Sequence, residues 1–261
     1  MKKKFIGIIC ILYSSIILYI ILTNQLKNYL APQIQIYIKV LVIPMIILGI
    51  IMLFNKHEYK LKASDLILII PLVLIIIASN ARLSTSFASN RTTTINYKNR
   101  VKTEVKEEIE EETINEYVEF KPYFEIEDSN YDSLASYITF APKADKFVGK
   151  TIKVQGFVLR HAEYLQSGYF SIGKYSISCC VADAGYTGFI VKENDYKIEE
   201  NKWYDIEGIL RKGQDKEGYN ILYIEIVNIK KINSKNQEQY VYPCYAYDAN
   251  CSSVVKYDLE Y

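Results

Sequence analysis

Phe5 to Thr23 (FIGIICILYSSIILYIILT) is a run of nineteen residues without a charge. About 20 apolar residues in a helix cross the hydrocarbon core of a bilayer, so the stretch commits the start of the chain to a membrane. A cleaved signal peptide would have a shorter apolar run followed by a small-residue cleavage site, whereas Thr23-Asn24-Gln25-Leu26 follows here. A second run, Ile36 to Phe54, carries only Lys39, near enough to its start to snorkel into the headgroups. A third, Leu66 to Ala78, is shorter and holds Pro71. Residues 63–65 and 79–81 extend it, and Pro71 is expected to kink it. The expected spans are 5–23, 36–54 and 64–81, within a membrane domain over 1–80.

Loop charges orient these spans. Lys2, Lys3 and Lys4 precede the first, and Lys56, Lys60 and Lys62 lie between the second and third. The loop from Asn24 to Gln35 has only Lys27. By the positive-inside rule the N-terminus is cytoplasmic, and an odd number of spans puts everything after about Ser79 outside. The formal charge of +1 hides the same division. Eight Lys/Arg face two acids up to Ala78, leaving 23 against 28 beyond it. The expected location is therefore the cell membrane, multi-pass, with an extracytoplasmic C-terminal domain.

Residues 82–113 begin Ser/Thr/Asn-rich and run into KTEVKEEIEEE, which has too little apolar surface to pack and reads as a solvated stalk. In YDSLASYITF, the Ser129-x-x-Asp132 start and the apolar Leu134, Tyr137 and Ile138 predict one short helix, ended before Pro142. Beyond Gly149 the period becomes two: Ile152, Val154, Gly156 and Val158; then Tyr204, Ile206, Gly208 and Leu210; then Leu222, Ile224 and Ile226. Two shorter strands, near 168–172 and 175–181, fill the gap. Glycine inside the two best strands permits the bend of a small barrel. The expected fold is N-terminal transmembrane α-helices plus a C-terminal all-β, OB-like small barrel over 114–242, with a β-sandwich as the alternative. A cysteine-containing tail, 243–261, follows and is too polar for a fourth span.

The stretch that looks chosen for chemistry is Ile177-Ser178-Cys179-Cys180-Val181-Ala182-Asp183, with two adjacent thiols and a carboxylate. Thiolates prefer zinc, Cu(I) and related soft ions, and Asp183 completes a ligand set, making Cys179, Cys180 and Asp183 the candidate metal site. On a strand, however, successive side chains face opposite ways. Cys179 is then expected to pack inward and Cys180 to be the available thiol, with a bulge needed to bring both to one ion. Outside the cytoplasm a disulfide from Cys179 or Cys180 to Cys244 or Cys251 competes with the metal reading, as does an idle free thiol. His161 is a candidate fourth ligand against the simpler reading of a lone surface histidine. His57 lies in the cytoplasmic loop.

Three apolar runs, a stalk, Gly156-Phe157-Val158, the double cysteine with its Ala182-Asp183-Ala184, Trp203 with Glu207-Gly208, and Tyr240-Val241-Tyr242-Pro243 together resemble the YcgQ-type permease-subunit family of bacterial membrane proteins. The resemblance covers nearly the whole chain, and Asn90-Arg91 matches it too. It implies a subunit acting beside a larger multi-span permease, with a metal or metalloid ion as cargo. The chain departs from the pattern at Lys174, where arginine is expected, and in the tail that adds Cys244 and Cys251. Replacing arginine removes a bidentate anion donor.

No G-x-S-x-G, phosphate loop, H-E-x-x-H or dinucleotide fingerprint occurs, so no enzyme is expected. Asp205 and Glu207 alternate with apolar residues and read as solvated. A net-acidic outer domain is unsuited to nucleic acid. Two functions remain open: a non-catalytic subunit of a two-component permease for a small solute or metal ion, and an envelope-anchored binding or structural protein with a disulfide-stapled β domain.

Overall fold

The structure is a computed structural model that describes residues 5–54, 67–78, 83–90, 121–140, 144–160, 167–215, 218–234 and 237–243. These fall into two compact units. One holds the helices up to Leu83 together with Cys179–Asp183, and the other holds the remainder.

In the helical unit, α1 (Phe5–Leu22) and α2 (Pro32–Phe54) are each long and apolar enough to cross a membrane, with mean hydropathy 2.7. Their close approach is set by glycine: a Cβ on Gly49 would lie 2.8 Å from Ile11 Cγ1, and one on Gly7 would lie 3.0 Å from the Gly49 carbonyl. Small residues let helix backbones meet where lipid offers no hydrophobic drive for association. Polar side chains return to their own helix, Ser14 Oγ donating to the Cys10 carbonyl at 2.8 Å and Ser15 Oγ to that of Ile11 at 2.8 Å. Ile36, Val40, Ile43, Ile47 and Ile50 stand exposed along α2. That is the surface a lipid solvent accepts and water does not.

α2 starts at Pro32, before the apolar run that begins at Ile36, because proline suits a first helical position whose N–H has no partner anyway. α3 covers Ile69–Ala78, only ten residues, with Ile67 and Leu68 in a 3-10 turn before it; residues 64–66 and 79–81 of the expected third span lie outside the described residues. Pro71 falls in its first turn, where the missing donor is one that the helix would not have used. Tyr13 Oη donates to the Leu68 carbonyl at 2.6 Å, tying α1 to the approach to α3.

The second unit is a closed five-stranded barrel. Its strands are β2 (Thr151–Leu159), β3 (Tyr169–Ser176), β4 (Gly185–Lys192), β5 (Trp203–Gln214) and β6 (Asn220–Lys231), with two-residue strands β1 (Phe124–Glu125) and β7 (Tyr240–Val241) added to β2 and β3. The ring runs β2-β5-β6-β4-β3 and back to β2. Every ring pair is antiparallel except β4 with β6. This is the Greek-key connectivity of the OB fold.

The two short strands expected near 168–172 and 175–181 are replaced by one strand, β3, which ends at Ser176. Gly173, which falls between the two expected strands, is its tightest point: a Cβ there would lie 2.1 Å from the Thr187 carbonyl, and one on Gly156 would lie 2.5 Å from the Gly173 carbonyl. The β4 strand was not anticipated. At Gly208 the β5–β6 register slips by one residue, the bulge that turns a barrel corner.

Helix α4 (Tyr131–Phe140) precedes the barrel and has the expected bounds. Tyr131, Leu134, Ala135 and Ile138 recur at helical spacing and are buried with Ile152, Phe170, Phe189 and Ile224 in one core. Part of the expected stalk packs as well: Tyr175 Oη donates to the Ser84 carbonyl at 2.7 Å, and Ala88 is buried. Arg82 and residues 91–113 lie outside the described residues.

Candidate metal centre

Strand β3 ends at Ser176, before the thiols. A 3-10 turn over Val181–Asp183 follows them, so the segment is a turn rather than the strand expected to reach Val181. The cause is Asp183. Its Oδ2 accepts the main-chain N–H of Cys179 at 2.7 Å and that of Cys180 at 3.4 Å, while its own N–H donates to the Cys180 carbonyl at 3.0 Å. An aspartate that captures nearby amides gives the backbone an alternative to the ladder.

The inward-facing placement of Cys179 is therefore overturned. Cys179 is exposed and Cys180 half-buried, because alternation of faces holds only along an extended strand. The turn instead makes two main-chain hydrogen bonds to the α1–α2 link, which together define one antiparallel bridge. Ala31 N–H donates to the Cys179 carbonyl at 3.0 Å, Val181 N–H donates to the Tyr29 carbonyl at 2.8 Å, and Leu30 and Cys180 form an isolated antiparallel bridge.

The ligand atoms of Cys179, Cys180 and Asp183 all lie within 4.8 Å of one another. A tetrahedral zinc with Zn–S of about 2.3 Å holds its ligand atoms roughly 3.5–4 Å apart, so small side-chain rotations would close the set. The turn thus supplies what a flat strand lacks, both thiols and the carboxylate on one side. The Asp183 carboxylate and, secondarily, the Cys180 sulfur push the Cys179 thiol up to about 11. A thiol beside an anion keeps its proton unless a cation takes the proton's place. Among the described residues Cys10, Cys179 and Cys180 are all free thiols. His161, Cys244 and Cys251, the other candidate ligands and disulfide partners, lie outside the described residues.

Lys174, the departure noted in the sequence, sits in the barrel unit. Its side chain is 7% exposed, and its Nζ lies 2.6 Å from Asp128 Oδ1. The ammonium stands over the Tyr131 and Trp203 rings at 5.3 and 5.9 Å. Phe124, Tyr131, Gln155, Lys174 and Glu238 contribute to a cavity of about 450 Å³ there. With Asp128 already neutralising the ammonium, the cavity is not a ready anion site. Sequence reasoning missed Asp128 as the partner because the two residues come from separate elements.

Asp205 and Glu207 form a cross-strand ladder. Lys153 Nζ lies 2.6 Å from Glu207 and 3.7 Å from Asp205, and Gln155 Nε2 donates to Asp205 at 3.2 Å. The Lys153 hydrogen bond holds the Glu207 carboxylate below its usual range, as in a structural ion pair.

Comparison with protein families matches residues 96–243 to the family described as DUF1980 C-terminal domain. Comparison with curated proteins finds no match.

Proposed function

The chain belongs to the DUF1980 C-terminal domain family, and from that premise we propose that it is a non-catalytic subunit of a bacterial two-component permease, of the YcgQ-like type. In this reading the N-terminus is cytoplasmic, the apolar helices dock beside a larger multi-span permease, and the barrel works outside the cell membrane on a small solute. The solute is a metal ion handled by Cys179, Cys180 and Asp183.

One observation carries the reading. The thiol turn is hydrogen-bonded to the link between the two apolar helices, through Tyr29 and Ala31. The candidate ligands thus belong to the helical unit, which a binding module merely tethered by an anchor does not require. The broad apolar surface of α1 and α2 supports a partner or lipid around them.

The test is purification of the full-length protein from detergent-solubilised membranes. Copurification with a multi-span permease, and loss of metal accumulation on deletion, are the expected results. A clean monomer whose deletion leaves accumulation unchanged would overturn the proposal. Non-reducing mass spectrometry reads out the envelope-protein alternative, since a quantitative disulfide at Cys179 or Cys180 would remove the thiolate ligands.

A further inference from the structure

Within the helical unit the same five residues that gather two thiols and a carboxylate also form a short ladder with the α1–α2 link. Cys179 supplies a candidate ligand and a carbonyl to Ala31, and Cys180 supplies a ligand and bridges Leu30. Val181, between Cys180 and Asp183, donates to Tyr29. Ala31 in turn accepts the N–H groups of Ile34 and Gln35, at 2.9 and 3.1 Å, and so heads the first turn of α2. The ligands and the ladder therefore share one short stretch of backbone.

We infer that the Cys179–Asp183 turn is an ion-responsive latch on the start of α2, closed when a divalent thiophilic cation such as Zn²⁺ binds Cys179 Sγ, Cys180 Sγ and a carboxylate oxygen of Asp183. The inference rests on the metal reading above and adds what the ion does. Each thiol gives its proton to solvent as its sulfur–metal bond forms, and no electron is transferred. Three protein ligands leave one position of a tetrahedral ion open, the pattern of an exchangeable site rather than a closed structural one. Without the ion, the turn is held only by main-chain hydrogen bonds and the Asp183 side chain, and its exposed end opens locally at low cost. The ion ties residues 179, 180 and 183 together, so opening the ladder then requires losing it.

The experiment uses the full chain in detergent with Co²⁺ as the spectroscopic probe, displaced by Zn²⁺. The wild type is expected to take up one Co²⁺ with a thiolate-to-cobalt charge-transfer band. Amide exchange at the two ladder donors, Ala31 and Val181, should slow by up to about a hundredfold at a free ion concentration one hundred times Kd. The Cys179→Ser/Cys180→Ser double variant should lose both effects. Ala31→Pro deletes one ladder donor and keeps every ligand; it should retain the band and lose most of the slowing at Val181, the remaining donor. Absence of the band in wild type, or a band with unchanged exchange at Ala31, would overturn the inference. Cobalt binding and slowing without permease copurification would uphold it while removing the transport reading; copurification without cobalt binding would do the reverse.

Discussion

The N–H of Val181 donates to the carbonyl of Tyr29 at 2.8 Å, fastening the residue after the double cysteine to the link between α1 and α2. The thiols are therefore part of the helical unit although they follow a barrel strand in sequence. Asp183 makes this possible by diverting the amides of Cys179 and Cys180 from strand pairing to its carboxylate. The same carboxylate governs the reactivity of the exposed thiol.

Asp183→Asn is expected to make Cys179 more reactive. With its pKa raised from 9.0 to about 11, the thiolate population at neutral pH falls about a hundredfold. Replacing the carboxylate by a neutral amide removes the main cause of that rise and should recover most of the factor. Peptide-resolved mass spectrometry of iodoacetamide labelling in the full chain checks this. Equal rates at Cys179 in the two proteins would mean that Asp183 does not control the thiol.

Gly173→Ala should break the barrel at its narrowest crossing. The new methyl would lie 2.1 Å from the Thr187 carbonyl, and main chain cannot swing away as a side-chain end can. The cost is expected to be about 3 kcal/mol or more. Trp203, the chain's one tryptophan, is buried in the barrel and reports unfolding of that unit by its fluorescence. Gly149→Ala is the control for general glycine loss: it meets no atom, but its φ of +81° makes its cost conformational.

Asp128→Asn should destabilise the barrel more than Lys174→Met does. The first leaves a buried ammonium without its anion, at a cost of about 2 kcal/mol once the half-exposure of Asp128 is discounted. The second replaces the ammonium by an apolar chain against the Tyr131 and Trp203 rings, at about 1 kcal/mol or less. In the double variant the costs should not add, and denaturant unfolding followed at Trp203 measures the coupling. Equal single costs that sum would show that the pair carries no stability.

The fold was legible where periodicity is strong. Helix α4 follows from Leu134, Tyr137 and Ile138, and three of the five barrel strands follow from alternating runs, because one buried face writes its period into the chain. β4 was missed since Tyr186, Phe189, Ile190 and Val191 are all buried and show no alternation. The residues of the candidate site could be named from their chemistry, but their geometry could not be. Whether Cys179 faces in or out depends on Asp183 capturing two amides and on Tyr29 and Ala31 pairing with the turn, and neither contact leaves a periodic trace. Lys174 was visible only as a departure from an expected arginine, with Asp128 supplied by the fold.

Asp132 provides a pH signature for the barrel. Burial raises its carboxyl above the usual 3.8, opposed by hydrogen bonds from Thr187 and Ser176. The folded state thus binds this proton more tightly than the unfolded chain does. Its contribution to stability is fully present below about 3.8 and is lost as pH rises through the elevated folded value. Asp132→Asn cannot ionise and keeps an oxygen to accept from Thr187 or Ser176. It should leave stability nearly unchanged at the acid end of this window, raise it at neutral pH, and flatten the pH dependence between. Unfolding of the full chain in detergent, followed at Trp203 from pH 3.5 to 7 in both proteins, measures the difference. A variant that is less stable than wild type at pH 7 would mean that the ionised carboxylate is worth more to Thr187 and Ser176 than its burial costs.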